Sequence, residues 1–146
     1  MAQVQRRRGR IQVKLDSRER AALVSTVDQL TPHTRDNSQA AYDEAEFEGE
    51  YSRWVVPELT REREEDIAQV RQGLEAGEDT LPLTEAQALA WLRAFNHLRL
   101  AAGRILGVDS DGWEERVDPS MRATPEYGIL LALAYLQEEL VAALES

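Results

Sequence analysis

Apolar positions in the first fifteen residues recur at every second place. Ile11, Val13 and Leu15 alternate with Arg10, Gln12 and Lys14, the period of a strand with one buried face. Val4, Arg6 and Arg8 carry the alternation weakly back across the turn-forming Arg8, Gly9 and Arg10, which predicts a β-hairpin or strand over residues 3–15. From Asp16 the period lengthens. Asp16 and Glu19 fit a capping box, Ala22, Leu23, Val27 and Leu30 supply an apolar face, and Pro32 ends this first helix. Tyr51, Trp54, Val55, Leu59, Ile67, Val70 and Leu74 mark a second helix, charged from Arg61 to Asp66, kinked at Pro57 and ended by Gly77. Thr84 and Gln87 cap a third, which closes at Gly107. Thr124, with Pro125 at the first helical position, opens a fourth. The expected fold is mainly α: one domain over residues 1–146, an irregular four-helix bundle with a short N-terminal β-hairpin or strand.

The stretch over residues 31–50 breaks the pattern. It combines Pro32, Asn37 and Ser38 with six acids, and reads as a mobile acidic loop. Neither it nor the run Asp109 to Gly112 has the ligand spacing of a calcium loop, and the second reads as a turn. The chain contains no cysteine, which excludes a disulfide framework, a thiolate nucleophile and a thiol switch. His33 and His97 do not form a metal pair, and Ser52, Ser110 and Ser120 lie in no nucleophile elbow. No catalytic residue, metal ligand or cofactor is expected, and hence no enzyme. No apolar run approaches the ~20 residues of a membrane span, and the N-terminus lacks the apolar core of a signal peptide. The expected location is the cytoplasm, without membrane contact.

Charge is polarised along the chain. The total is −10, but residues 1–20 carry +5 and the remainder −15. Arg6, Arg7, Arg8 and Arg10 could therefore attract nucleic acid or an acidic partner, while the body repels a phosphate backbone. DNA contact is expected only through this basic end. The bland reading is an edge strand whose charges discourage aggregation.

The third helix holds the remaining anomalies. At 100° per residue, Ile105, Leu98, Trp91, Ala102, Phe95, Leu106 and Leu92 fill an arc of about 140°, and Arg93, His97 and Arg104 lie opposite, on a solvent face. Arg99 falls within the apolar arc and Asn96 on its edge. On the fourth helix, Gln137 interrupts the stripe of Ile129, Leu130, Leu133, Leu136 and Leu140. Buried polar groups need partners, so Asn96, Arg99 and Gln137 are expected to meet as a buried network, with a carboxylate from Arg61 to Asp66 neutralising Arg99. Such a network fixes helix register, or it forms a small-anion site on Arg99. Leu130, Val141 and the tyrosines of the fourth helix offer an edge for a homodimer; monomer and homodimer both stay open.

The runs WLRAFNHLRLAAGRILGV and PEYGILLALAYLQEELVAAL, with GRIQVKLDSRERAALVSTVDQL and YSRWVVPELTREREEDI before them, resemble an actinobacterial AosR-like family. The most specific positions are Trp91, Leu92, Asn96, Arg99, Leu100 and Gly103, then Tyr127, Leu136, Gln137, Glu138 and Leu140. The resemblance implies a helical, non-enzymatic protein: an oxidative-stress-responsive transcriptional regulator that works with an extracytoplasmic-function sigma factor in thiol and cysteine metabolism. A proteolysis-linked adaptor role is a further implication of the family. The family's response is attached to cysteine oxidation, and this chain has no cysteine to oxidise.

Overall fold

The structure is a computed structural model that describes residues 2–34, 49–107, 120 and 123–146, with the backbone alone for 49–57. Strands β1 (Gln3–Arg7) and β2 (Arg10–Lys14) form the expected hairpin. Arg8 and Gly9 both have positive φ, 53° and 78°, as a two-residue primed turn requires to match strand twist. A third strand, β3 (Thr80–Leu83), was not anticipated by the hydrophobic pattern. It pairs antiparallel with β2 through Ile11 to Leu83 and Val13 to Leu81, giving a three-stranded sheet ordered β1-β2-β3. Pro82 is tolerated because β3 is an edge.

Four long helices stand among the described residues, and three of them start at the predicted caps. In α1 (Ser17–Leu30) and α3 (Glu85–Leu106) both halves of each capping box form, Asp16 with Glu19 and Thr84 with Gln87. Gly107 closes α3 with φ 74°. Thr124 Oγ1 accepts from the Tyr127 amide to start α4 (Pro125–Glu145). Helix α2 (Gly49–Glu75) runs through Pro57 as one element. Both ends of the expected acidic loop are structured: Thr31–His33 form a 3₁₀ turn stabilised by buried Thr34, whose hydroxyl donates to the Thr31 carbonyl, and residues 49 and 50 begin α2. Asp109 to Gly112 lie outside the described residues.

The core forms where one face of the sheet meets the helices. Val4, Ile11, Val13, Leu81 and Leu83 point inward, toward Trp91, Phe95 and Leu98 of α3 and Leu133 and Leu140 of α4. Trp91 and Phe95 meet edge to face at 5.8 Å, and Trp91 reaches across to α2, where Gly73 leaves room for its ring. Helix α4 is long and apolar enough to cross a membrane by length and composition alone, contrary to the expectation from its interrupted apolar run. Here its inner face, Leu130, Leu133, Leu136, Leu140 and Ala143, is buried. Burial of Leu130 removes it from the expected homodimer edge, whereas Val141 is exposed. Tyr135 also turns inward, donating its hydroxyl to the Ala2 carbonyl.

Candidate functional site

Helices α3 and α4 run antiparallel. Arg6 touches Glu85 at the start of α3 and the Leu144 carbonyl at the end of α4, while Arg99 near the far end of α3 meets Gln137. Between the two helices lies an open cavity of about 640 Å³, walled by Leu92, Val141 and Ala142 and rimmed by Asn96, Arg99, Gln137 and Glu138. Arg99 Nη1 donates to Gln137 Oε1 at 3.0 Å. The three expected residues thus share one groove. They are not a buried network: Arg99 and Gln137 are half-buried and Asn96 is exposed.

The reason is that small residues decide which face of α3 is buried. Ala88, Ala90, Ala94, Ala101 and Ala102 are covered, so the buried arc turns toward the alanines and Arg99 shifts to its rim. Ile105, expected in the core, is 46% exposed because it lies in the last turn of α3, beyond the packed part of that face. The turn of the arc also draws the supposed solvent face inward. His97 is half-buried, and Arg104 donates to the His33 carbonyl.

The carboxylate expected at Arg99 goes elsewhere. Asp66 of α2, 7% exposed, accepts from Arg93 in a two-pronged pair, at 2.9 Å from Nε and 3.0 Å from Nη2. The Arg93 guanidinium is correspondingly held above its ordinary value by its hydrogen bonds to Asp66. Arg63 is buried at 2%. His97 is pushed below its ordinary value near 6.5, first by burial and then by Arg63, with Asp66 pulling the other way. The charged face from Arg61 to Asp66 thus sends two of its members, Arg63 and Asp66, into the interior. The missed signal was the spacing of Arg63 and Asp66 from Val70 and Leu74, which places them on the apolar stripe.

The basic end divides into two parts. Arg6 shares Val4's side of β1, so its stem runs inward, and its guanidinium meets Glu85 at 2.9 Å and the Leu144 carbonyl at 3.1 Å. A cation there complements the C-terminal end of α4, and Arg6 is therefore a packing contact, not a free hand for nucleic acid. Arg7, Arg8 and Arg10 are exposed, and Arg7 lies directly opposite Arg10. Like charges placed opposite each other destabilise a sheet. The outward sheet positions Gln3, Gln5, Arg7, Arg10, Gln12, Lys14, Thr80 and Pro82 include no acid. Glu58, Glu62, Glu64 and Glu65 are exposed on α2.

Among the described residues no group of three metal-ligating side chains comes together. Comparison with known proteins gives a family model described as "Domain of unknown function (DUF2017)", matched over residues 31–144. The groove lies inside that segment and the hairpin precedes it. A protein of Mycobacterium leprae (strain TN) named "Putative oxidative stress regulator AosR" is 38% identical over 88 residues, a span that takes in 60% of this chain and 40% of that relative. The chain thus matches less than half the relative's length. No solved structure matches the chain.

Proposed function

This chain belongs to the DUF2017 family, and on that premise we propose that it is a non-enzymatic regulatory protein that acts by docking on the transcription machinery. The name of the M. leprae relative supports a regulatory role. The segregation of exposed charge is the observation that carries the reading. A sheet face with Arg7, Arg10 and Lys14 and no acid suits a phosphate backbone or another anionic surface, and the exposed glutamates of α2 suit a basic protein surface. The net −15 beyond residue 20 opposes stable binding to DNA alone. The protein partner therefore brings the hairpin to DNA. An extracytoplasmic-function sigma factor is the partner class the family resemblance implies. With no cysteine in the chain, a thiol-based oxidant signal must reach it through that partner.

The test is a gel-shift titration of promoter DNA with sigma factor holoenzyme and this chain, at two salt concentrations. The expected result is a supershifted complex that weakens at least ~10-fold for the triple variant R7A/R8A/R10A and is absent without holoenzyme. A triple variant that supershifts like the parent would refute the hairpin contact. Tight binding to bare DNA would refute the order of assembly.

A further inference from the structure

We propose that the groove between α3 and α4 is a binding site for a small amphipathic monocarboxylate, with the carboxylate on Arg99 and Asn96 and the alkyl chain along Leu92, Val141 and Ala142. Most described arginines that link two elements meet a carboxylate, although Arg104 donates to the His33 carbonyl instead. Arg6 meets Glu85, Arg20 meets Asp79, Arg71 meets Asp28 and Glu75, and Arg93 meets Asp66. Arg99, half-buried between two helices, hydrogen-bonds to a neutral amide oxygen, and no described carboxylate forms an ion pair with it. A guanidinium has five N–H donors arranged to match a carboxylate two at a time, and the bond to Gln137 uses one.

The setting selects the ligand. Arg99 opens onto a cavity of about 640 Å³, within the range of small-molecule sites. Asn96 adds an amide donor on the same rim, one turn away on α3. Next along the groove come Leu92 on α3 and Val141 and Ala142 on α4, apolar walls that fit an alkyl chain, while Arg93, already paired with Asp66, and half-buried His97 complete the lining. Glu145 also lines the cavity, one turn beyond Val141. Glu138 on the rim and Glu145 are both exposed acids, so a ligand with one carboxylate, seated on Arg99, meets less repulsion than a ligand with two. A monocarboxylate with a short aliphatic chain therefore suits the groove better than a dicarboxylate or an inorganic anion. Gln137 is a positioning residue, since its carbonyl holds the guanidinium at the mouth of the groove.

The inference does not rest on the partner reading, because its test involves this chain and ligand alone. Isothermal titration calorimetry of the full chain with octanoate, 1-octanol and octanedioate measures the site directly. Saturable 1:1 binding of octanoate is expected, with octanol and octanedioate at least ~10-fold weaker, as loss of a charge-assisted hydrogen bond or gain of a repulsive charge implies. R99M keeps the length of the stem and removes the charge, and should weaken octanoate at least ~10-fold while leaving octanol unchanged. V141S should weaken both chain-bearing ligands. Circular dichroism verifies that each variant is folded. Equal affinity for octanoate and octanol, an unaltered octanoate affinity in R99M, or no octanoate binding at millimolar concentration would each overturn the proposal.

Discussion

Gly73→Ala should destabilise this protein although it replaces the poorer helix former by the better one. In an open helix interior the exchange stabilises by ~1 kcal/mol, because glycine loses more backbone freedom on folding. At Gly73 a Cβ would lie 2.7 Å from Trp91 Cζ2, with two further indole carbons at 3.6 Å. Ordinary carbon contacts begin near ~3.5 Å, so the ring or the helix must move by close to an ångström. Trp91 has little freedom to do so: it is 1% exposed and meets Phe95 edge to face. Overpacking of this kind costs ~1–3 kcal/mol, which cancels or outweighs the helix gain. Gly128, in α4, provides the control. A Cβ there meets nothing within 4 Å, and Gly128→Ala should stabilise by ~0.5–1 kcal/mol. Urea unfolding followed by circular dichroism measures both. The midpoint should rise for Gly128→Ala and fall or stay level for Gly73→Ala, the two differing by ~1–3 kcal/mol. Equal stabilisation by both changes would refute the packing of Trp91 against the α2 backbone.

Two further predictions concern the charges beneath α2. Arg93→Met leaves the carboxylate of Asp66 in a site only 7% exposed without its two-pronged partner, and should cost ~1.5–3 kcal/mol in urea unfolding. Glu75→Gln, in the exposed pair with Arg71, should change stability by less than ~1 kcal/mol; equal effects would contradict the assigned burial. His97, whose proton affinity is lowered by burial and by Arg63, gives the protein a pH dependence of definite sign. The unfolded imidazole binds its proton below about pH 6.5, the folded one only at lower pH, so stability is full above that value and falls as the pH drops beneath it. The melting temperature should decline from pH 7 to 5.5, and His97→Gln should flatten that decline; an unchanged slope would remove His97 as its source.

What the sequence made legible was local. Three helix starts depend on residues three positions apart, and Asp16 with Glu19, Thr84 with Gln87, and Thr124 before Pro125 mark those helices correctly. The hairpin was equally readable, because Arg8 and Gly9 join strands already in contact along the chain. The strand β3 was not: it has four residues, one of them proline, and its partner β2 lies more than sixty positions earlier. The meeting of Asn96, Arg99 and Gln137 in one groove could be read from helical angles. Their depth could not, since the wheel counts Ala102 but passes over Ala88, Ala90, Ala94 and Ala101 of α3, and alanines are what let neighbouring helices come close. The inward turn of Arg6 was available in principle, from its shared parity with Val4 on β1. The destination of Asp66 was not, because nothing along the chain distinguishes Arg93 from Arg99 as its partner across 27 residues.

The proposal that this chain regulates by docking is tested most directly by recovering its complexes from the native cell. Tagged parent chain, R7A/R8A/R10A and the charge control R61A would be purified in parallel, with bound sigma factor and promoter DNA quantified in each. The account predicts that sigma factor co-purifies with all three chains and that promoter DNA is depleted with R7A/R8A/R10A alone. Sigma factor absent from the parent chain, or promoter DNA recovered equally with all three, would contradict it.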